Sequence, residues 1–178
     1  MSDSLDELIP VMRDLVPLVL NDLARRGDDA YLAYTGRVYT EWQQTVVDGA
    51  TSAATFEESF HSIRSALNPP GVGGLIKSCA ADIYLVRSRT LTGRPSAYDW
   101  ERKDYHVIGA AFERYGCTWG GRFRNRFDGP HGQAPTTGKP TPAVLAMNEK
   151  ELDAWCREEI DKRRAELGLG PLRLMRWN

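Results

Sequence analysis

The chain has 178 residues, of which 42% are hydrophobic and 26% charged, the make-up of an ordinary globular protein and not of a disordered or fibrous one. At this length one core buries roughly 70% of the unfolded surface, so folding needs no disulfide framework. The 23 basic and 24 acidic residues leave a formal charge of -1, which argues against nucleic acid or an anionic membrane as a partner.

Cys79, Cys117 and Cys156 are widely spaced and include no C-x-x-C pair. They indicate neither a thiolate zinc knuckle nor a disulfide staple, and they suit a reducing compartment. The opening, MSDSLDELIPVMRD, places acids where a secretory leader needs bases. No run approaches the ~20 apolar residues of a membrane span. The expectation is a soluble chain made in the cytoplasm, without stable membrane insertion, whose export needs another route.

From Ser4 to Arg26 the apolar residues recur at helical spacing, with Ser4 and Glu7 placed for a capping box and Pro10 and Pro17 for a break or kink. Tyr31 to Thr35 reads as a short strand and Thr40 to Asp48 as a helix stopped by Gly49. A loop-rich stretch around Asn68-Pro69-Pro70-Gly71 precedes Cys79 to Val86, the best candidate for a buried strand. Residues 87–99 read as loop, Asp104 to Tyr115 as a helix, and Trp119 to Phe123 as a turn entering a strand on which Arg122, Arg124 and Arg126 share a face. Residues 129–142, rich in Pro, Gly and Thr, read as a linker. The tail has the strongest helix pattern: Asn148 as cap, Glu149 and Glu151 in the first turn, basic residues at the end and then Gly168. The expected architecture is α+β, a small and mainly antiparallel sheet flanked by helices. Residues 1–142 would form the domain and 143–178 a C-terminal helical tail.

Few residues are suited to chemistry. Asp128-Gly-Pro-His131 places a carboxylate three residues before an imidazole in a Gly/Pro-bounded loop. In a metal site of this kind the imidazole is a ligand, and the carboxylate takes a proton from water and delivers it to a leaving amine. Taken by itself the spacing is weak evidence and reads first as a polar turn with a surface histidine. His61 follows the acidic pair Glu57-Glu58 and reads either as a ligand or as a polar residue after a turn. Asp82 lies in an apolar strand, where an unpartnered carboxylate costs several kcal/mol, so it calls for a cation or strong donors. His106 reads as a residue at a helix N-terminus, and the five tryptophans as core or groove lining.

The pattern Tyr105, Gly109, Phe112-Glu113, Gly116, Trp119-Gly120-Gly121-Arg122-Phe123, Asp128-x-Pro130-His131 resembles the zinc D-Ala-D-Ala carboxypeptidase and L-alanyl-D-glutamate endopeptidase family, which includes many phage endolysins. The resemblance runs from about Ala80 to Gln133. It implies a zinc peptidase that hydrolyses a peptide bond in peptidoglycan stems or cross-links. Zn2+ would be held by His61, Asp82 and His131, with Asp128 as general base and acid. Gly36-Arg37-Val38-Tyr39-Thr40-Glu41 fits the family's upstream segment loosely, so Arg37 would stabilise the oxyanion; read alone, it is a surface arginine.

The family's first zinc motif, Ser-x-His-x-x-Gly-x-Ala-x-Asp, is split here. Ser59-Phe60-His61 keeps its serine and histidine, but Arg64 and Asn68 stand for the glycine and aspartate. Ala80-Ala81-Asp82 keeps the end, with Leu75 in the histidine's place. Asp82 is preferred as the acidic ligand because its segment is strand-like, whereas Asn68-Pro69-Pro70 cannot continue a central strand. His61 and Asp82 would then flank an inserted loop that holds Asn68 to Gly74. The resemblance further implies action at the cell wall after release, on peptidoglycan peptides, by a monomer. The competing readings are a cell-wall-binding relative that has lost its metal, and a D,D-carboxypeptidase or dipeptidase on the same site.

Overall fold

The computed structural model describes residues 4–47, 55–86, 104–124, 127–134 and 138–174. Ser4 does not open a long helix. Its side chain accepts from the Asp6 amide at the start of a 3-10 turn, Leu5–Glu7. Glu7 forms no capping box and instead accepts from the Thr35 hydroxyl at 3.1 Å and the Gly36 amide at 3.0 Å. Helix α1 (Pro10–Arg25) begins with Pro10, where the missing amide costs nothing, and runs on through Pro17, which sits on its exposed side. Its buried stripe is Val11, Met12, Leu15, Val16, Val19 and Leu23.

Strand β1 (Ala30–Tyr34) and helix α2 (Tyr39–Val47) follow close to the expected bounds. After a 3-10 turn at Phe56–Glu58, the chain leaves Ile63 and returns at Leu75 in bridge pairing with it. Gly74 closes this excursion at φ +143, where a Cβ would lie 2.9 Å from the Ile63 backbone, so only glycine fits. Strand β2 (Ala80–Leu85), helix α3 (His106–Arg114), strand β3 (Thr118–Trp119) and strand β4 (His131–Gln133) complete the domain's centre.

The architecture is α+β. All pairings in the four-stranded sheet, ordered β1-β2-β4-β3, are antiparallel. Residues on β2 alternate between two environments. Ala81 and Ile83 join the core with α1 and α3, where the Phe112 ring lies so close to Gly132 that a Cβ there would come within 2.4 Å. Asp82 and Tyr84 point to the other face, which carries the site.

Two expectations change in this region. The strand precedes the Trp119 turn, and Gly120–Arg122 is a 3-10 turn in which Arg122 pairs with Glu113, so no arginine face forms at 122–124. The segment read as linker contains β4, whose three residues pair with β2 and two of them, Gly132 and Gln133, also with β3. The loop expected at 87–99, and Arg126, lie outside the described residues.

After α4 (Pro142–Ala146), helix α5 (Glu149–Glu166) begins with the full Asn148/Glu151 capping box. Leu152, Cys156 and Ile160, four residues apart, bury its one apolar stripe in the same core. Asp153 of α5 accepts from the Val11 amide at 2.7 Å. It thereby satisfies an N-terminal amide of α1, whose own N-cap residue, Ile9, provides no acceptor. Among the described residues no helix is long and apolar enough to cross a membrane.

Candidate metal centre

Asp82 on β2 lies directly opposite His131 on β4. Opposed residues of an antiparallel pair share a face with their Cβ atoms about 5 Å apart, so sheet register alone brings these two groups together. His61 arrives from the loop after the Phe56–Glu58 turn. The Cys79 amide donates to the Phe60 carbonyl at 3.0 Å, and the Arg37 amide to the His61 carbonyl at 2.9 Å. His61 is thus fixed beside the start of β2 although 21 residues separate it from Asp82.

The three side chains form a nearly equilateral triangle. His61 Nε2 is 3.1 Å from Asp82 Oδ1 and 3.1 Å from His131 Nδ1, and His131 Nδ1 is 3.0 Å from Asp82 Oδ1. The outer nitrogens settle the tautomers. His61 Nδ1 is 2.7 Å from the Thr35 carbonyl, which only accepts, so that nitrogen carries the proton. His131 Nε2 donates in the same way to Gln133 Oε1 at 2.9 Å. When neutral, each ring therefore turns a lone pair inward, beside a carboxylate oxygen. Three acceptors within 3.1 Å repel unless a cation or a shared proton lies among them.

The electrostatics agree. Burial opposes the charged form of His131, but the hydrogen bond and charge of Asp82 more than offset it and lift the imidazole to about 9. Burial would raise the Asp82 carboxyl, and the two imidazoles instead hold it well below the usual carboxylate range. Among the described residues, His61, Asp82 and His131 are the one group of His, Cys, Asp or Glu side chains placed to hold a metal ion. The set of two imidazole nitrogens and one carboxylate oxygen is a zinc-type donor set. Tetrahedral bonds of about 2.0–2.2 Å would separate such ligands by roughly 3.3–3.6 Å, a few tenths of an ångström wider than this triangle.

Asp128 stands at the rim, partly exposed. Its position depends on the Trp119-Gly-Gly segment. The indole Nε1 of Trp119 donates to the Gly129 carbonyl at 2.7 Å, and a Cβ on Gly109 or Gly121 would lie 2.3 or 2.2 Å from the ring. The tryptophan is core, clasped between glycines, and it pins the loop that carries Asp128 and His131. Gly120 is in equally close contact: a Cβ there would meet the Asp128 carbonyl at 2.5 Å.

Arg37 is no surface residue. Its Nη2 donates to Ser59 Oγ at 2.7 Å and its Nη1 to Thr45 Oγ1 at 3.3 Å, while Nε is buried and has no hydrogen-bond partner among the described residues. Burial lowers the guanidinium from its usual value, against the pull of Asp82, Asp128 and Glu41. Ser59 Oγ also accepts from the His61 amide at 3.3 Å, so one hydroxyl ties Arg37 to the histidine segment.

Asn68 is elsewhere. Its Oδ1 accepts from the Tyr39 amide at 3.0 Å and its Nδ2 donates to the Ile63 carbonyl at 3.1 Å, so it braces the loop. His106 is exposed at the start of α3 with its ring against Trp119, apart from the triangle. Two orienting groups escape sequence reading. Thr35 acts through its carbonyl, which leaves no trace in residue type. Gln133 does leave one, because a residue two after His131 on a strand must share its face.

Residues 76–134, which include Asp82, Asp128 and His131, match a family model described as D-alanyl-D-alanine carboxypeptidase. No curated protein matches the chain in sequence. Among solved structures, the L-Ala D-Glu endopeptidase ChiX of Serratia marcescens aligns with 72% of this chain and 81% of its own, at a TM-score of 0.47 and 20% identity. Residues 76–134 are thus similar to the D-alanyl-D-alanine carboxypeptidase family, the one that the Trp119-Gly-Gly and Asp128-x-x-His131 motifs resemble.

Proposed function

We propose that the chain is a zinc-dependent peptidase that cuts a peptide bond in bacterial peptidoglycan, with His61, Asp82 and His131 as the metal ligands. The observation that carries this reading is the inward triangle of lone pairs, 3.0–3.1 Å on a side, with both outer imidazole nitrogens already committed. Zinc held there supplies Lewis-acid chemistry, making water acidic enough to attack at neutral pH and polarising the scissile carbonyl.

The chain's own groups do the rest. Asp128, partly exposed and three residues before His131, takes the proton of the attacking water and returns it to the leaving nitrogen. The Arg37 cation, held by Ser59 and Thr45 near Asp82 and Asp128, faces the negative charge that develops on the carbonyl oxygen. The resemblance to phage endolysins extends this reading to a role in lysis, the chain acting on the wall as a monomer.

The test is release of new amino groups from purified peptidoglycan by zinc-loaded wild type, beside Asp128→Asn. The expected outcome is release that stops on chelation and is absent in Asp128→Asn, which still binds zinc. No release by the zinc-loaded wild type would favour a wall-binding relative instead. Cutting only peptides with a free C-terminal carboxylate would assign a carboxypeptidase, and cutting internal bonds an endopeptidase.

A further inference from the structure

The three cysteines, far apart in sequence, are all buried and reduced in this core. Two of them touch. Cys156 Sγ on α5 lies 3.4 Å from Cys79 Sγ at the entrance to β2, across 77 residues of sequence. Cys117 instead has its sulfur 4.0 Å from Met12 Sδ. The backbone at Cys79 is held on both sides, its amide by the Phe60 carbonyl at 3.0 Å and its carbonyl by the Ala134 amide at 2.9 Å. It therefore sits at the junction from which both Asp82 and His131 are positioned. Helix α5 is fixed above it by Asp153 on the Val11 amide and by Trp155 stacked on Phe60 at 6.3 Å.

We propose that Cys79 and Cys156 are a latent disulfide that forms when the chain folds in the presence of a disulfide oxidant, locking α5 onto the strand that carries Asp82. A disulfide needs the sulfurs about 2.05 Å apart, so from 3.4 Å they must approach by roughly 1.3 Å. The exchange is balanced with a small-molecule disulfide such as oxidised glutathione. One cysteine sulfur, as thiolate, attacks that disulfide and expels one small thiol. The other attacks the mixed disulfide and expels the second. Two S–H bonds are lost, one S–S bond forms, and the oxidant is reduced to two thiols.

Both cysteines are 0% exposed. Burial, and then the neighbouring Cys156, push the Cys79 thiol well above its usual value, so the folded dithiol is unreactive. Exchange takes place while α5 is undocked, during folding or local opening. The same chain thus remains a dithiol in a reducing cytoplasm and becomes cross-linked where oxidants prevail. The proposal does not depend on the catalytic reading.

The experiment refolds full-length reduced protein with oxidised glutathione or with dithiothreitol, measures Tm, then unfolds it in denaturant containing N-ethylmaleimide so that every remaining thiol is labelled, and reads intact mass and peptide map. The expected oxidised product takes up one maleimide, at Cys117, and yields a peptide joining Cys79 to Cys156. Its Tm is higher by about 5–10 °C, the scale for closing a long loop in a chain of this size. Cys117→Ala retains the cross-link; Cys79→Ala and Cys156→Ala lose both cross-link and Tm gain. Three maleimides on natively folded, oxidant-treated wild type would overturn the proposal, as would a cross-link through Cys117 or one that lowers Tm.

Discussion

Replacing Gln133 by leucine removes the acceptor 2.9 Å from His131 Nε2 and leaves a buried imidazole N–H with no partner on that side. A buried donor left unsatisfied costs about 1–3 kcal/mol. The ring recovers part of this by rotating or by moving its proton to Nδ1, the nitrogen that faces Asp82 and His61. Either response removes an inward lone pair, so the cost falls on metal binding. Loss of a group that orients a metal-binding histidine typically weakens affinity 10–100-fold. Gln133→Glu keeps an oxygen acceptor at that position and should hold zinc at least as tightly as wild type. The assay is competition for zinc against a chromophoric chelator, with thermal unfolding in EDTA as the control for folding. Wild-type affinity in a folded Gln133→Leu protein would refute the claim that Gln133 sets the tautomer of His131.

Other substitutions and conditions follow from the same geometry. Asp128→Asn should lower kcat by about 10²–10⁴-fold, the usual contribution of a general acid–base, with zinc content unchanged; loss of zinc in this variant would make Asp128 a ligand. Gly132→Ala drives a Cβ to within 2.4 Å of the Phe112 ring and should destabilise the fold by about 1–3 kcal/mol, read as a lower denaturation midpoint; an unchanged midpoint would contradict the close packing of α3 on β4. In metal-free protein, His131 is lifted to about 9 from 6.5. Its stabilising contribution is therefore complete below about pH 6.5 and is lost as pH rises through 9. Asp82 is depressed, so its contribution is present above the ordinary carboxylate range and is lost in strong acid. Unfolding of the EDTA-treated protein should show a falling Tm between pH 7 and about 10, and a flat profile there would contradict the shared-proton description.

Sequence patterns predict the elements whose stability comes from their own periodicity. Helix α5 shows its cap, its Leu152/Cys156/Ile160 stripe and its basic end, and it forms as expected. Strands β3 and β4 are two and three residues long, and neither carries a pattern of its own. Strand β4 forms on the edge that β2 presents, and β3 on the edge of β4, which explains why residues 131–133 read as linker. The cysteine contact is hidden for the same reason: it depends on where α5 docks, 77 residues beyond Cys79. At the site, Asp82 is legible because a carboxylate in an apolar strand needs partners, and Asp128 and His131 because of their spacing. The close contact of His61 with Asp82 is less so. It depends on the 64–74 excursion closing between Ile63 and Leu75, a tertiary event marked in sequence only by Pro69-Pro70 and the glycines.

The most direct test of the metal centre is zinc bound per chain in wild type, His61→Ala, Asp82→Ala, His131→Ala and Asn68→Ala, each checked for folding by circular dichroism. About one zinc is expected in wild type and in Asn68→Ala, and little in the other three, because each removes one of the three side chains that, among the described residues, are placed to hold a metal ion. A folded wild type that takes up no zinc, or a site that survives Asp82→Ala and fails with Asn68→Ala, would contradict it.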